Sequence, residues 1–382
     1  MKTERLFDKD SFIFDFTAKV ISCQKEGKLF AAVLDKTAFF PEGGGQGADK
    51  GTLNGEKVID VKEKDGVIYH YLKREISGSV EGAIESEIRF SRMQNHTGEH
   101  IVSGIIHSHT GADNISFSLT DEETTLAFNT ELSEELIKQV EKEANAVVFA
   151  NLPVKAYYPD SEELEKTEYR SKLDLKENVR LVKIGDIDTC ACCAPHVKST
   201  GQVGLIKIVA REPYKGGTKL WIKCGGRALE HYGMLLDEAK DISHLLCAKI
   251  DRINTAVEKL KLDKEKSEYE LVSLKRKAIE EKIESVEKTD SDYLAVCDFK
   301  GDDLRLFAEG LKSKVSGIIL VLEGDDKNGY RYVLTSAQKD ISALVKKANA
   351  ALNGKGGGRD NMARGSYNSD FKKIKEFFEM SN

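Results

Sequence analysis

Two short clusters in this 382-residue sequence combine side chains that bind transition metals. In NHTGEHIVSGIIH, His96 and His100 are four residues apart. On a helix that spacing stacks both imidazoles on one face, about one turn apart, where they can share an ion. Thr97 follows His96 where a zincin protease carries glutamate, which argues against metalloprotease chemistry. In DTCACCAPHVKSTGQVG, Cys192 and His196 are again four apart, beside Cys190 and Cys193. Imidazoles with a thiolate form a borderline-soft set that suits Zn2+ far better than Mg2+ or Ca2+. Cys190 and Cys193 also make a C-x-x-C, so a site using those sulfurs competes with one built on Cys192. Further along the same stretches, His107 falls near the face of His100, while Arg92 precedes the histidine pair.

The elements that must hold these residues follow from pattern and punctuation. Residues 1–86 contain β-like runs, LFAAVLD, KVIDV and GVIYHYL, broken by GGG, NG and DG turns, and predict a small barrel or curled sheet. Residues 87–233 mix helices near 97–109 and 131–149 with strands near 180–184, 203–210 and 218–224, an α+β domain in which the lone Trp221 is expected to pack in the core. From Met234 to Lys300 there is neither proline nor glycine, which predicts a long helical segment over 234–290. Leu246, Ile250, Ile253, Val257 and Leu260 step as a coiled-coil seam, Lys264 and Ser267 interrupt it, and Leu271, Leu274 and Ala278 resume it. That interruption favours a hairpin turn at KLDKEKSE over one uninterrupted helix. Residues 291–382 alternate strand-like and helix-like runs and form a separate small α/β unit. The fold class is therefore α+β.

Composition narrows the class of protein. The chain is 40% hydrophobic and 32% charged, with a formal charge of −6, which excludes a polybasic tether to nucleic acid or membrane. No apolar run reaches the roughly 18 residues of a membrane span, and charges interrupt the N-terminus where a signal peptide would be apolar. Seven cysteines without such a signal point to a reduced, cytoplasmic protein with no membrane partner. The net charge conceals an uneven distribution: residues 87–170 are acidic, whereas 171–230 and 331–382 each carry an excess of five basic side chains. Local cationic zones of this kind, not a basic whole, are what docking of one structured RNA needs.

Three separated segments resemble the AlaX alanyl-tRNA editing proteins, relatives of the editing half of alanyl-tRNA synthetase. TAFFPEGGGQGADKGTL, residues 37–53, is similar to the family's T-x-F-Y-P-E-G-G-G-Q-x-x-D-x-G element, HTGEH to its H-x-x-x-H, and Cys192 to His196 to its C-x-x-x-H. GKGGGRDNMARGS, residues 354–366, resembles the DHH-associated domain that ends the long AlaX form. Phe40 for tyrosine, Gly47 for proline and Cys-Ala-Pro inside C-x-x-x-H are departures, and Cys193 leaves the cysteine ligand open.

The resemblance implies a trans-editing hydrolase that deacylates tRNA(Ala) carrying serine or glycine. A pocket built for a methyl group discriminates small analogues by only about 1–3 kcal/mol, so a second hydrolytic site is useful. It implies Zn2+ on His96, His100, Cys192 and His196, with His196 the more labile ligand, and a substrate role for Thr37 and Gln46. Gly43, Gly44 and Gly45 would bring backbone N–H groups near the ester or the terminal ribose and phosphate, with Arg92 a candidate phosphate contact and Asp49 either ordering the loop or contacting the site. It further implies a homodimer through the helical segment and the C-terminal domain. No DHH tripeptide is present, which disfavours phosphodiester cleavage, and the first matching segment begins too early to leave room for an aminoacylation domain. The alternative is a catalytically silent, zinc-stabilised tRNA-binding protein.

Overall fold

The structure, a computed structural model, describes residues 2–171, 179–359 and 361–380. Part of the cationic stretch 171–230, residues 172–178, and Asp360 of the glycine-rich segment lie outside them. The described chain divides into two compact units, 1–241 and 242–382.

In the first unit, alternation of apolar and polar residues builds six antiparallel strands. Asp15–Glu26 pairs with Leu29–Leu34, which pairs with Val67–Leu72, then Glu56–Lys64, Gly51–Leu53 and Ser79–Ile84. Ser79–Ile84 returns to Asp15–Glu26, so each strand has two neighbours and the inward side chains, among them Ala32, Leu53, Val61, Ile68 and Leu72, share one core. Beyond it runs the 25-residue helix Ser86–Thr110, which is buried on every side from Asn95 to Ile106.

That helix and Glu134–Ala150 cover one face of a four-stranded antiparallel sheet ordered Ile206–Tyr214, Gly217–Cys224, Thr124–Phe128, Asn114–Leu119. Gly98 allows the close approach, since a Cβ there would stand 2.3 Å from Cys224 Sγ. Leu220, Ile222 and Cys224 alternate inward, which turns Lys219, Trp221 and Lys223 outward. Trp221 is thus half-exposed on the open face rather than packed in the core. A three-stranded sheet, Val154–Tyr157, Leu181–Ile184 and Asp188–Ala191, carries the cysteine segment.

In the second unit the helix Ile253–Glu284 is continuous, and the break falls before it, where Cys247 adopts a left-handed conformation at φ 48°. The turn expected at KLDKEKSE does not form. Lysine and glutamate are good helix formers, and Lys264–Glu268 and Lys266–Glu270 pair one turn apart along the exposed helix. A five-stranded sheet, ordered Tyr293–Val296, Ile318–Asp325, Gly329–Ser336, Met362–Tyr367, Gly354–Arg359, completes this unit. The glycine-rich segment forms its edge hairpin. Asp302–Leu311 and the end of the long helix pack on one face, Ser342–Ala351 and Phe371–Met380 on the other. Among the described residues no helix is long and apolar enough to cross a membrane.

Candidate metal centre

The helix Ser86–Thr110 presents His96 and His100 side by side, their ring centroids 5.4 Å apart. His196 closes the group at 4.8 Å from each ring. It arrives on the loop that follows Asp188–Ala191, a loop held by Arg180, which donates to the carbonyls of Cys192 and Ala194, and by Ser11, which donates to the His196 carbonyl. Cys192 Sγ lies 3.6 Å from His96 Nε2 and 3.3 Å from His196 Nε2. One donor atom from each of His96, His100, Cys192 and His196 falls within 4.8 Å of the others.

The orientation of the rings is set from behind. His96 Nδ1 donates to Gln46 Oε1 at 2.8 Å, His100 Nδ1 donates to Asp188 Oδ2 at 3.1 Å, and His196 Nδ1 lies 2.9 Å from Thr97 Oγ1. With all three Nδ1 atoms engaged, His96 and His196 turn their Nε2 atoms to the Cys192 sulfur. This is the arrangement that metal-ligating histidines adopt. Three imidazoles and one thiolate fit a tetrahedral Zn2+ in number and softness.

Electrostatics separates the three neighbouring cysteines. Desolvation would raise the Cys192 thiol, but facing His96 and His196 and hydrogen-bonded by His100 and His196, it is held well below the usual thiol range. Burial instead pushes Cys190 up to about 11. Cys190 groups with His100 and Asp188, whereas Cys193 is exposed beside the glycine loop. The C-x-x-C does not come together as a pair of ligands. Burial lowers His196 to about 3, which keeps its imidazole neutral. For His100 the burial penalty is outweighed by Cys190, the Asp188 hydrogen bond and Cys192, so its proton is held well above the usual histidine range.

The glycine loop lies against this cluster. Gly45 has φ 84°, and a Cβ there would stand 2.5 Å from the Phe117 carbonyl, so only glycine lets the loop join the sheet edge. Leu119 N–H donates to the Gly45 carbonyl at 2.8 Å, while Phe117, on the inner side of the same strand, packs on His96 with centroids 4.6 Å apart. Asp49 orders this loop: it accepts from Phe40 N–H and is ion-paired with fully buried Arg89. Arg92 is likewise committed, donating to the Gly47 and Ala48 carbonyls and pairing with Asp121. Gly43, Gly44, Gly45, Gln46 and Arg92 line one cavity of about 750 Å³.

Gln46 is fully buried, and its Nε2 has no hydrogen-bond partner among the described residues. Thr37 is set apart: its hydroxyl lies inside the strand ring, 2.9 Å from His70 Nε2, and accepts from Phe39 N–H. It does not line the cavity. His107 bonds the Ala112 carbonyl and His109 pairs with Glu143. Sequence reasoning missed Asp188, Thr97 and Glu99. Glu99 is a buried carboxylate 3.9 Å from His100 Nε2 that also accepts from Ser103 and Asn114.

Comparison with known proteins matches this arrangement to a family. The chain is 31% identical to the alanyl-tRNA editing protein AlaX-L of Pyrococcus horikoshii, across 99% of this chain and 97% of that protein. The chain belongs to the AlaX-L family. Within the chain, residues 10–89 match tRNA synthetases class II (A), 179–219 the threonyl and alanyl tRNA synthetase second additional domain, and 292–381 the DHHA1 domain. The chain is also similar to the alanine–tRNA ligases of Methanococcus maripaludis, at 27% identity, and Caldivirga maquilingensis, at 31%. It spans 43% of the length of each. Among solved structures, the C-Ala domain of Aquifex aeolicus alanyl-tRNA synthetase aligns with 24% of this chain and 88% of that chain at 16% identity and a TM-score of 0.22, too low to carry an argument.

Proposed function

We propose that this AlaX-L protein hydrolyses, in trans, the ester of mischarged tRNA(Ala), Ser-tRNA(Ala) first and Gly-tRNA(Ala) second, with Zn2+ held by His96, His100, Cys192 and His196. The observation that carries the reading is the convergence of four donor atoms with every Nδ1 engaged from behind, next to a buried amide donor that has nothing to bond. Zn2+ kept by His96, His100 and Cys192 with His196 released would supply Lewis acidity toward an ester carbonyl or amino group.

The protein's own groups account for the rest. Gln46 Oε1 is fixed by His96, which leaves the amide Nε2–H groups without a partner among the described residues. An orphaned buried donor costs about 1–3 kcal/mol, and it is relieved when a substrate oxygen accepts from it. A donor whose bond strengthens as charge develops on the ester oxygen favours the transition state over the ground state. Water adds to the ester carbonyl, the acyl–oxygen bond breaks, and the ribose hydroxyl leaves with a proton. The glycine loop excludes side chains from the space the terminal ribose would occupy.

Thr37, fully buried and off the cavity in the free chain, is proposed as the serine-recognising residue on the resemblance to the family's T-x-F-Y-P-E-G-G-G-Q element. His70 Nδ1–H donates to the Ala32 carbonyl, leaving Nε2 to accept the Thr37 proton. With Phe39 N–H on one lone pair, the threonine oxygen keeps one lone pair for a seryl hydroxyl. The seam residues Val257, Leu260, Leu271 and Leu274 are all exposed in the single chain, which supports pairing of this helix with a second copy.

The deciding experiment incubates purified protein with Ser-, Gly- and Ala-tRNA(Ala) and follows release of the amino acid. Rapid loss of Ser-tRNA(Ala) with Ala-tRNA(Ala) spared is expected. Intact Ser-tRNA(Ala) after long incubation with zinc-loaded protein overturns the proposal.

A further inference from the structure

The four-stranded sheet of the first unit is covered on one face only. Its open face carries Lys219, Trp221 and Lys223 in alternation on one central strand, with Ser118 and Thr125 in register beside Trp221. Lys219 Nζ lies 4.5 Å from the Trp221 ring centroid, and neither lysine has a carboxylate partner among the described residues. A hollow of about 230 Å³ on this face is lined by Tyr214, Lys219, Ser118 and Thr120, with Glu123 its one carboxylate.

The same Ser118 and Thr120 line the larger cavity that holds Gln46 and the glycine loop. The strand Asn114–Leu119 is therefore a shared wall, with Phe117 against His96 on the inside and Ser118 on the open face.

We propose that this open face is a platform for the single-stranded end of an RNA. On it Trp221 stacks a base, Lys219 and Lys223 take backbone phosphates, and the strand continues past Ser118 and Thr120 to the glycine loop. An aromatic ring flanked by unpaired lysines on a solvated sheet is the combination that holds unpaired nucleotides without reading a duplex. Charge complementarity and continuity with the glycine-loop cavity commit the face to RNA. An exposed ammonium–ring contact is weaker than base stacking, so a base displaces Lys219 from the indole and frees it for phosphate. The choice of an aminoacylated strand rests on the editing function proposed above; the platform itself does not.

Trp221 is the single tryptophan of the chain, so its emission reports this face alone. The full-length protein is titrated with a 12-nucleotide single-stranded RNA ending in CCA, following tryptophan emission and the anisotropy of an end-labelled copy. Saturable quenching that tracks anisotropy is expected. Trp221→Leu should raise Kd roughly tenfold, with Trp221→Phe close to the unmodified chain. Lys219→Ala with Lys223→Ala should flatten the dependence of log K on log salt by about 1.4. Emission that stays constant while anisotropy saturates overturns the proposal on the unmodified chain, whatever the folding of the variants. Equal Kd and salt slope in folded variants also overturns it. Neither readout needs an ester: quenching without deacylation removes the editing reading and leaves the platform, whereas deacylation without quenching does the reverse.

Discussion

Removing the hydrogen-bond partners behind the three histidines should weaken metal binding in a graded order. Asp188 Oδ2 accepts from His100 Nδ1 at 3.1 Å as a buried carboxylate, whereas Gln46 and Thr97 meet their histidines as neutral groups at 2.8 and 2.9 Å. A hydrogen bond to a charged group contributes about 1.5–3 kcal/mol, a neutral one about 0.5–1.5. At about 1.4 kcal/mol per factor of ten, Asp188→Ala should raise the Zn2+ Kd roughly 10- to 100-fold, and Gln46→Leu or Thr97→Val only about 2- to 10-fold. Asp188 also pairs with Arg170, so its loss leaves that guanidinium without its partner and lowers the melting temperature. Asp188→Asn, which keeps an acceptor but not the charge, should fall between. The assay is competition with a chromogenic chelator, with a melt of each variant to confirm folding. A folded Asp188→Ala that binds Zn2+ as tightly as the unmodified chain, or that loses less affinity than Gln46→Leu, refutes the reasoning.

Four further outcomes follow from the same geometry. Cys192→Ala should lose zinc and deacylation together while Cys193→Ala keeps both, checked by metal content beside activity; the reverse pattern would move the ligand. Thr37→Val should lower the preference for Ser-tRNA(Ala) over Ala-tRNA(Ala), read as the ratio of kcat/KM, and an unchanged ratio rejects the serine-contact role. Burial holds His70 at about 4 against an ordinary 6.5, so below pH 6.5 the unfolded chain binds a proton that the folded chain refuses. Stability should therefore fall as pH drops from 6.5 toward 4, by up to about 3 kcal/mol from this residue, and a folded His70→Asn should show a shallower decline in urea midpoint across that window. Arg89→Met should leave Asp49 buried and unpaired and cost about 3–5 kcal/mol in denaturant unfolding, with the glycine loop loosened; a loss under 1 kcal/mol would show that the pair is dispensable.

Local rules were enough wherever a residue's role depends on its immediate neighbours in sequence. The four-residue step from His96 to His100 places both rings on one side of any helix, and the helix is assured by the apolar run that follows. The same is true of strands such as Val67–Leu72, and of the long proline- and glycine-free segment, although the location of its break was misplaced. Lys264 and Ser267 at the seam read as a turn, but the helix propensity of the surrounding lysines and glutamates prevailed.

Pairings between distant residues were decided only by tertiary structure. The hydrogen-bond partners behind His96, His100 and His196 lie 50, 88 and 99 positions away, and nothing in the local sequence marks them. The position of Cys192 among all three histidines is equally nonlocal, because two of them come from another element. Asp49 and Arg92 were legible as polar residues near the site, but the partners that make them braces for the loop come from elsewhere. Trp221 shows the limit most plainly. Alternation along its strand separates it from Leu220 and Ile222, and only the helices packed on one face decide which set is buried. The sequence alone determined the donor types and their spacing, since these follow from backbone periodicity. The three-dimensional packing determined which of them meet, because burial and hydrogen-bond partners are properties of the assembled fold.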